Sequence, residues 1–540
     1  MSVKNKKLQR RSFIQFLGKG VVATSLLPPF ISACNIESSR RAFDLNIAIK
    51  GISPSDEDNL VLADGLDYKV LIRYGDKISK NDTFGFNCDY TAFIPGSSPD
   101  EGFLWVNHEY VDPVFVSTGM KKSKERADKE MYNIGGSILK MKKSGEQWKN
   151  DTSSDKNRRI TAHTMIPFNW PEKIYGATEA MGTLQNCAGG VTPWGTVLTC
   201  EENYHSCYGE RDFETGEVIK PQSMYDWGEY YDNPPEHYGW VVEVDPHTGK
   251  CQKHVALGRC AHECATCVEL QDKRVVVYSG DDKVDQCVYK FISDKAGSLK
   301  SGKLYVANVS KGKWESLDIN DQEVLKNNFK DQTEVLIRLR EAAALLGGTP
   351  LARPEDIEID PVTGNILIAL TNDVTKGNYY GEILKIEETG GKYDSLTFKA
   401  DTFLAGGEET GFACPDNLAF DNGGNLWFTS DISGSAMNKE PYASFKNNGL
   451  FVFLRSGDNA GEVVQIASAP KDAELTGPFF TPDGKTLFLS VQHPGGLSPS
   501  VNELTSNWPN GGNSLPAPSV VTIQGPLLNA IQGIKSFTQS

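Results

Sequence analysis

The strongest constraint on how this chain folds is a recurring hairpin signature. Five times an apolar-rich run meets a polar turn holding Asp, Pro or Gly, in most cases with a second apolar run beyond it. These units are Val241 to Gly249, Cys267 to Val277, Ile357 to Ile368, Leu418 to Phe428 and Phe479 to Leu489. Two short runs around a tight polar turn form an antiparallel hairpin. Hairpins alike in pattern but irregularly spaced along one chain are the sequence form of propeller blades. The reading is an all-β chain folded as a six-bladed β-propeller with helical and loop insertions, a pair of β-sandwiches being the weaker alternative. The 51 glycines and 27 prolines among 540 residues agree, because they favour tight turns and short strands over long helices.

Two segments break the hairpin pattern. Asp321 to Leu346 has helical spacing and stops at Gly347-Gly348, so it reads as a helical insertion between blades. The tract from Lys121 to Arg159 is rich in Lys, Asp and Ser and reads as an exposed excursion, and Pro509 to Ser519 has a loop composition. No clean linker divides the remainder. One propeller domain is expected over residues 59–540, preceded by a polar linker at 35–58 and a leader at 1–34.

The leader carries the address. A basic start, the pair Arg10-Arg11 followed by Ser12-Phe13-Ile14, and a short apolar stretch look like a twin-arginine export signal. The stretch is interrupted by Gly18, Lys19, Gly20, Pro28 and Pro29, and is shorter than the roughly 18–20 apolar residues of a membrane span. Ile31-Ser32-Ala33-Cys34 also resembles a lipobox, which makes Cys34 a candidate lipid anchor. The expected location is periplasmic, secreted or membrane-tethered, reached through the twin-arginine machinery, with the protein a monomer. That route exports folded proteins, which suits a cofactor loaded before transport. Ten cysteines remain beyond Cys34, and an oxidising compartment permits disulfides whose pairing stays open.

Charge narrows the partners. With 55 Lys+Arg against 70 Asp+Glu the chain carries a net −15, which argues against a nucleic-acid or anionic membrane surface and suits cations. Carboxylates recur beside turns, where a propeller would gather them around its channel: Asn107-His108-Glu109; Asn186-Cys187-Ala188-Gly189-Gly190 leading to Cys200-Glu201-Glu202-Asn203; His262-Glu263; Arg353-Pro354-Glu355-Asp356; and Cys414-Pro415-Asp416-Asn417. Each taken alone also fits a solvated strand end or a plain turn. The acid before the strands that follow Glu355 and Asp416 sits in the same relative place, which argues for one shared site. Oxygen ligands select hard cations such as Ca²⁺, and the Cys187 thiolate suits a transition metal such as iron. Arg353 has the planar fork that fits a phosphate. The spacing Cys260-x3-Cys264-x2-Cys267 matches a cluster-binding motif of radical enzymes, but hairpins surround it here, and His493 reads as structural. No Gly-x-Ser-x-Gly elbow, phosphate loop or His-Glu-x-x-His pair is present.

Taken together, the leader, Asn-Cys-Ala-Gly-Gly-x-Thr-Pro-Trp-Gly-Thr at 186–196, Thr199-Cys200-Glu201-Glu202-Asn203, Gly258-Arg259-x-Ala261-His262-Glu263, Arg353-Pro354-Glu355-Asp356 and Pro415-Asp416-Asn417 resemble the PhoX family of secreted alkaline phosphatases. The resemblance implies a six-bladed propeller that hydrolyses small phosphate monoesters at a cluster of Ca²⁺ and Fe³⁺. Carried over by motif, it implies Cys187 as an iron ligand, Glu109, Glu201, Glu202, Glu263, Glu355 and Asp416 as ligands of iron or calcium, and Arg353 as the catalytic phosphate-binding residue. Cys260, Cys264 and Cys267 depart from the family pattern. The competing readings are a calcium-binding propeller without activity and a calcium-dependent lactonase or esterase. Cys187 discriminates, because a calcium-only site has little use for a thiolate.

Overall fold

The hairpins assemble as six antiparallel sheets of four or five strands, the blades of a propeller. This is a computed structural model, and it describes residues 49–221 and 225–533. The leader, with Arg10, Arg11 and Cys34, lies outside the described residues.

In each blade the first strand lies innermost. These are Cys88–Pro95, Asn186–Val191, Thr266–Glu269, Pro354–Ile359, Pro415–Phe420 and Glu474–Phe480, and they touch their counterparts in adjacent blades. Their partners are Glu101–His108, Val197–Glu201, Val275–Gly280, Ile366–Leu370, Leu426–Ser430 and Leu487–Gln492, fully or almost fully buried runs. They read as continuous apolar segments because neighbouring blades cover both of their faces. Apolar side chains fill the space between blades, as with Ile138 and Trp105 against Val197 and Val242, or Val276 and Tyr278 against Ile366 and Ile368.

Polar links close the inner ring. Asn107 donates to Ala188 O (3.0 Å), Ala265 N to Gly189 O (3.1 Å), Thr266 Oγ1 to Ile357 O, Leu418 N to Asp356 Oδ2 (2.9 Å), Gly477 N to Asn417 Oδ1 (2.6 Å) and Thr91 Oγ1 to Gly477 O (2.7 Å). Every one of the six blade junctions is bridged in this way. The chain ends close the circle. Asp67–Arg73 pairs with Ser519–Gln524 as the outer strand of the sixth blade, and Val61–Leu62 edges the fifth. Ile49 to Asp58, which the sequence assigns to a linker, lies along the fifth and sixth blades: Ile52 N donates to Gln465 O (2.9 Å) and Asn507 N to Asp58 Oδ2 (2.8 Å).

Two expectations change. Lys121 to Arg159 is no excursion: it holds the helix Lys124–Tyr132 and the strands Gly135–Ser144 and Gln147–Asn150 of the first blade, with Ile138, Leu139 and Met141 buried. Its lysines belong to the solvated outer part of that blade, which gives a structured segment a loop-like composition. The insertion at 321–346 is helical but broken into Glu323–Asn328, Gln332–Ile337 and Leu339–Leu345, because Asp331 caps a new helix by accepting from Glu334 N. All ten cysteines beyond Cys34 are free thiols.

Gly477 sits where two inner strands approach closely. Its φ is +54°, and a Cβ there would lie 2.5 Å from Thr91 N and 2.7 Å from Tyr90 Cα. Gly477→Ala should therefore cost about 2–4 kcal/mol through strain and overpacking. Urea unfolding would measure this, and a midpoint equal to wild type would contradict the packing described.

Candidate metal centre

One end of the inner strands carries a repeated device. The residue two places ahead of an acid or thiol adopts a left-handed backbone in five blades: Asn87 (φ 50°) before Asp89, Gln185 (52°) before Cys187, Arg353 (56°) before Glu355, Cys414 (52°) before Asp416 and Asp472 (60°) before Glu474. Residues other than glycine rarely adopt this conformation, and five repeats at equivalent sites mark a built feature. A register shift then follows within the same strands, between Cys88 and Thr91, Asn186 and Gly189, Pro354 and Ile357, Pro415 and Leu418, and Thr476 and Phe479. Bulges re-aim side chains, and here they accompany the turn of each acid or thiol toward the channel. The third blade differs: Glu263 precedes its strand, and Ala261 is not left-handed.

A second tier comes from the adjacent strands, whose C-terminal ends lie beside these starts. Glu109, Glu202, Asp282, Asp431 and His493 follow directly, or one residue later, on the buried second strands. The two tiers line one cavity of about 150 Å³, with Tyr110, Asn203, Thr476, Gln492 and Arg353 completing it. It holds nine carboxylates, namely Asp89, Glu109, Glu202, Glu263, Asp282, Glu355, Asp416, Asp431 and Glu474, together with Cys187.

Three groups have ligand atoms within 4.8 Å of one another: Asp89, Glu109 and Cys187; Cys187, Glu202 and Glu263; and Glu263, Asp282 and Glu355. Cys187 and Glu263 are shared, so the groups form one chain of adjoining sites. The Cys187 thiol lies 3.2 Å from both Asp89 Oδ2 and Glu263 Oε1, and Asn107 holds its backbone by donating to Cys187 O (2.5 Å). Gln492 Nε2 donates to Glu109 Oε2 (2.7 Å), and Thr371 Oγ1 to Glu355 Oε1 (2.7 Å).

The electrostatics call for cations. Burial, then mutual repulsion, pushes Glu109, Glu202, Glu263, Glu355 and Asp416 well above the usual carboxylate range. Asp89 and Glu474 rise to about 7, chiefly by burial. Burial and the neighbouring Asp89 and Glu263 raise the Cys187 thiol likewise. Asp89 Oδ1 and Glu263 Oε2 are fully buried without a hydrogen-bond partner. Orphaned carboxylate oxygens aimed among further carboxylates and a thiol fit metal ions, which supply the missing contacts.

Two cations belong to the protein itself. Burial pulls His493 down, but the Glu474 carboxylate 3.1 Å away lifts it to about 9, and Nδ1 donates to Asp472 O (2.8 Å), so its contacts favour the imidazolium form. Arg353 donates from Nε and NH2 to the two oxygens of Asp282, both at 3.0 Å, and its NH2 forms an ion pair with Glu355 Oε1 (2.8 Å). Its contacts to Asp431 are longer, at 3.3 Å.

Of the residues expected from sequence, Glu109, Cys187, Glu202, Glu263, Arg353, Glu355 and Asp416 all line the cavity. Glu201 does not. It is fully buried against Lys253 Nζ (2.6 Å) and accepts from Leu184, Gly239 and Trp240 N–H. Successive strand residues face opposite ways, so only one of two adjacent glutamates can enter the channel. Cys260, Cys264 and Cys267 form no ligand group among the described residues. Asp89, Asp282, Asp431 and Glu474 escaped the sequence reading. Their signal is an acid directly after an apolar run, as in Val275-Val276-Val277-Tyr278-Ser279-Gly280-Asp281-Asp282, or at the start of the next one.

A family model described as alkaline phosphatase PhoX matches residues 47–495. The chain is similar to Pseudomonas fluorescens PhoX in complex with vanadate, a transition state analogue. The two share 28% identity and a TM-score of 0.81, over 90% of this chain and 99% of that one. A protein of unknown function from Dyadobacter fermentans matches with 11% identity and a TM-score of 0.42, over 86% of this chain and 100% of that one. A gluconolactonase from Xanthomonas campestris matches with 10% identity and a TM-score of 0.31, over 82% and 97%. No curated protein matches the chain in sequence.

The two neighbouring glutamates should behave oppositely. Lys253→Met leaves Glu201 buried and unpaired and should cost about 3–5 kcal/mol. Glu202→Gln, which removes one repelling carboxylate, should leave chelator-treated protein as stable as wild type or more so. Thermal melts of both variants in chelator test the pair, and a large loss in Glu202→Gln would contradict the electrostatic picture.

Proposed function

The chain belongs to the PhoX family of alkaline phosphatases and hydrolyses small phosphate monoesters, and from that premise we propose that it does so at a mixed calcium and iron cluster held in the channel cavity. The family is metal-dependent and extracytoplasmic. The observation that carries the proposal is the run of three adjoining ligand groups, two containing the Cys187 thiol and the third made of oxygens alone. A thiolate among carboxylates suits ferric iron, and an all-oxygen group suits calcium. On this reading Cys187 with Asp89, Glu109, Glu202 and Glu263 holds iron, while Glu263, Asp282, Glu355 and Asp416 hold calcium. Bound cations supply Lewis-acid stabilisation of the charge on the phosphoryl oxygens.

Arg353 has the geometry for the phosphate. Asp282 grips one edge of its guanidinium from two oxygens, fixing its plane before substrate arrives. NH1 makes only the 3.3 Å contact to Asp431, and NH2 reaches Asp431 at the same distance, so the Asp431 side is the one available to exchange for phosphate oxygens. Such a fork stabilises charge as the phosphoryl group transfers. With cations bound in the cavity to stabilise the phosphoryl charge, no side-chain nucleophile is required.

The leader at 1–34 is proposed to direct the chain through the twin-arginine route, with Cys34 as a lipid anchor in the tethered form. Among the described residues no helix is long and apolar enough to cross a membrane.

Arg353→Ala should lower turnover on a chromogenic phosphomonoester by about 100-fold or more while the fold survives, and normal turnover would sink the assignment of Arg353. Chelation should abolish activity and calcium restore it. Vanadate, a transition state analogue for the Pseudomonas fluorescens protein, should inhibit. Elemental analysis should find iron and calcium in wild type and iron lost in Cys187→Ser; iron retained in that variant would remove Cys187 from the cluster.

A further inference from the structure

The third blade lacks the left-handed residue that aims the acid in the other five. Glu263 lies three residues before its strand Thr266–Glu269, where an isolated antiparallel bridge between His262 and Asp281 stands in place of the strand ladder. Its loop is held from behind. Ala261 N donates to Asp281 Oδ1 (3.1 Å), Asp282 N to Ala261 O (2.9 Å) and Glu263 N to Gly280 O (3.2 Å). The one side chain among these bonds is the Asp281 carboxylate, which is fully buried and lies outside the cavity.

Arg340, on the helix Leu339–Leu345 of the insertion, donates from Nε to Asp281 Oδ2 (2.8 Å) and from NH2 to Oδ1 (2.5 Å). The insertion touches the same loop again where Arg259 N donates to Leu336 O (2.9 Å) and Leu339 packs on Gly258. Asp282, the next residue, is the one that grips Arg353. The stretch Gly280-Asp281-Asp282 therefore joins the Arg340 pair to both Glu263 and Arg353.

We propose that Arg340 is a positioning residue for phosphate hydrolysis: through Asp281 the helical insertion sets the place of Glu263 and, through Asp282, the orientation of Arg353. Two parallel N–H···O bonds fix an angle as well as a distance, which a lysine cannot do. The insertion replaces for this blade the aiming role of the left-handed residue. The part concerning Arg353 rests on the phosphate-binding reading above.

The test compares Arg340→Lys and Arg338→Gln. Arg338 belongs to the same insertion but pairs with Glu334 and Glu341 and does not reach Asp281. Per folded molecule, Arg340→Lys should lose about 10- to 100-fold in kcat/KM, the scale of a misplacement of about 1 Å. Inhibition by inorganic phosphate should weaken about tenfold, with Arg338→Gln unchanged in both. Wild-type kinetics in Arg340→Lys, or an equal loss in Arg338→Gln, would overturn the proposal, the second by showing a merely structural role. Arg353→Ala run in parallel separates the two readings. Inhibition lost there but kept in Arg340→Lys overturns the Arg340 role alone, whereas inhibition kept in Arg353→Ala overturns the Arg353 assignment and the part of the proposal built on it.

Discussion

Nine carboxylates and a thiol face one cavity, and only Arg353 and His493 oppose them from within. At an effective dielectric of about 20, two unit charges 4.8 Å apart repel by about 3–4 kcal/mol. A domain is held together by only about 5–15 kcal/mol. A few such pairs would therefore consume the whole stability of the fold if the acids were bare anions. Either protons or metal ions must intervene, and an enzyme that works in alkaline conditions does not have protons to spare. The fold is built to accept this load, and its inner geometry follows from bringing like charges together rather than keeping them apart.

Bringing them together takes a rigid frame. Five left-handed residues other than glycine each cost on the order of 1–3 kcal/mol, and they persist because the surroundings leave the backbone no alternative. The six junctions of the inner ring are bridged by hydrogen bonds, and two of the bridging groups sit beside the acids: Asn417 follows Asp416, and Asn107 holds the carbonyl of Cys187. Ring closure by Asp67–Arg73 against Ser519–Gln524 stops the circle from opening. Strain at the rim and tension around the ring thus oppose each other within a single layer of the molecule.

The blades were legible because buried second strands must be apolar and turns must carry Asp, Pro or Gly, as at Leu418 to Phe428. The polar outer strands of the first blade were not, since Lys140, Lys142 and Lys143 give solvated strand edges the composition of a loop. Seven residues that line the cavity were legible from short motifs in which an acid or thiol stands beside Gly, Pro or Asn. Asp89 and Glu474 were hidden because what places them is a backbone conformation two residues earlier, and no residue type marks it: Asn87, Gln185, Arg353, Cys414 and Asp472 share nothing but φ. Glu201 was assigned wrongly to the cavity because adjacent glutamates look alike in a sequence, while a strand sends them to opposite sides.

Glu201 and Glu202 also show how the molecule divides its buried charge. Glu201 is neutralised inside the fold by Lys253, and Glu388 by Lys290 in the same fashion, each pair almost wholly removed from solvent. These acids are structural, and the chain supplies their cations itself. Asp282, Glu355 and Asp431 share the single Arg353 and Glu474 has His493, while among the described residues Asp89, Glu109, Glu202, Glu263 and Asp416 receive no such partner, although the chain has 55 lysines and arginines to place. A lysine at that position would silence the site by filling the space an ion needs. Leaving Asp89 and Glu263 with an orphaned oxygen each keeps the cavity dependent on ions from outside, so the property that destabilises the bare channel is also the one that selects its cofactors.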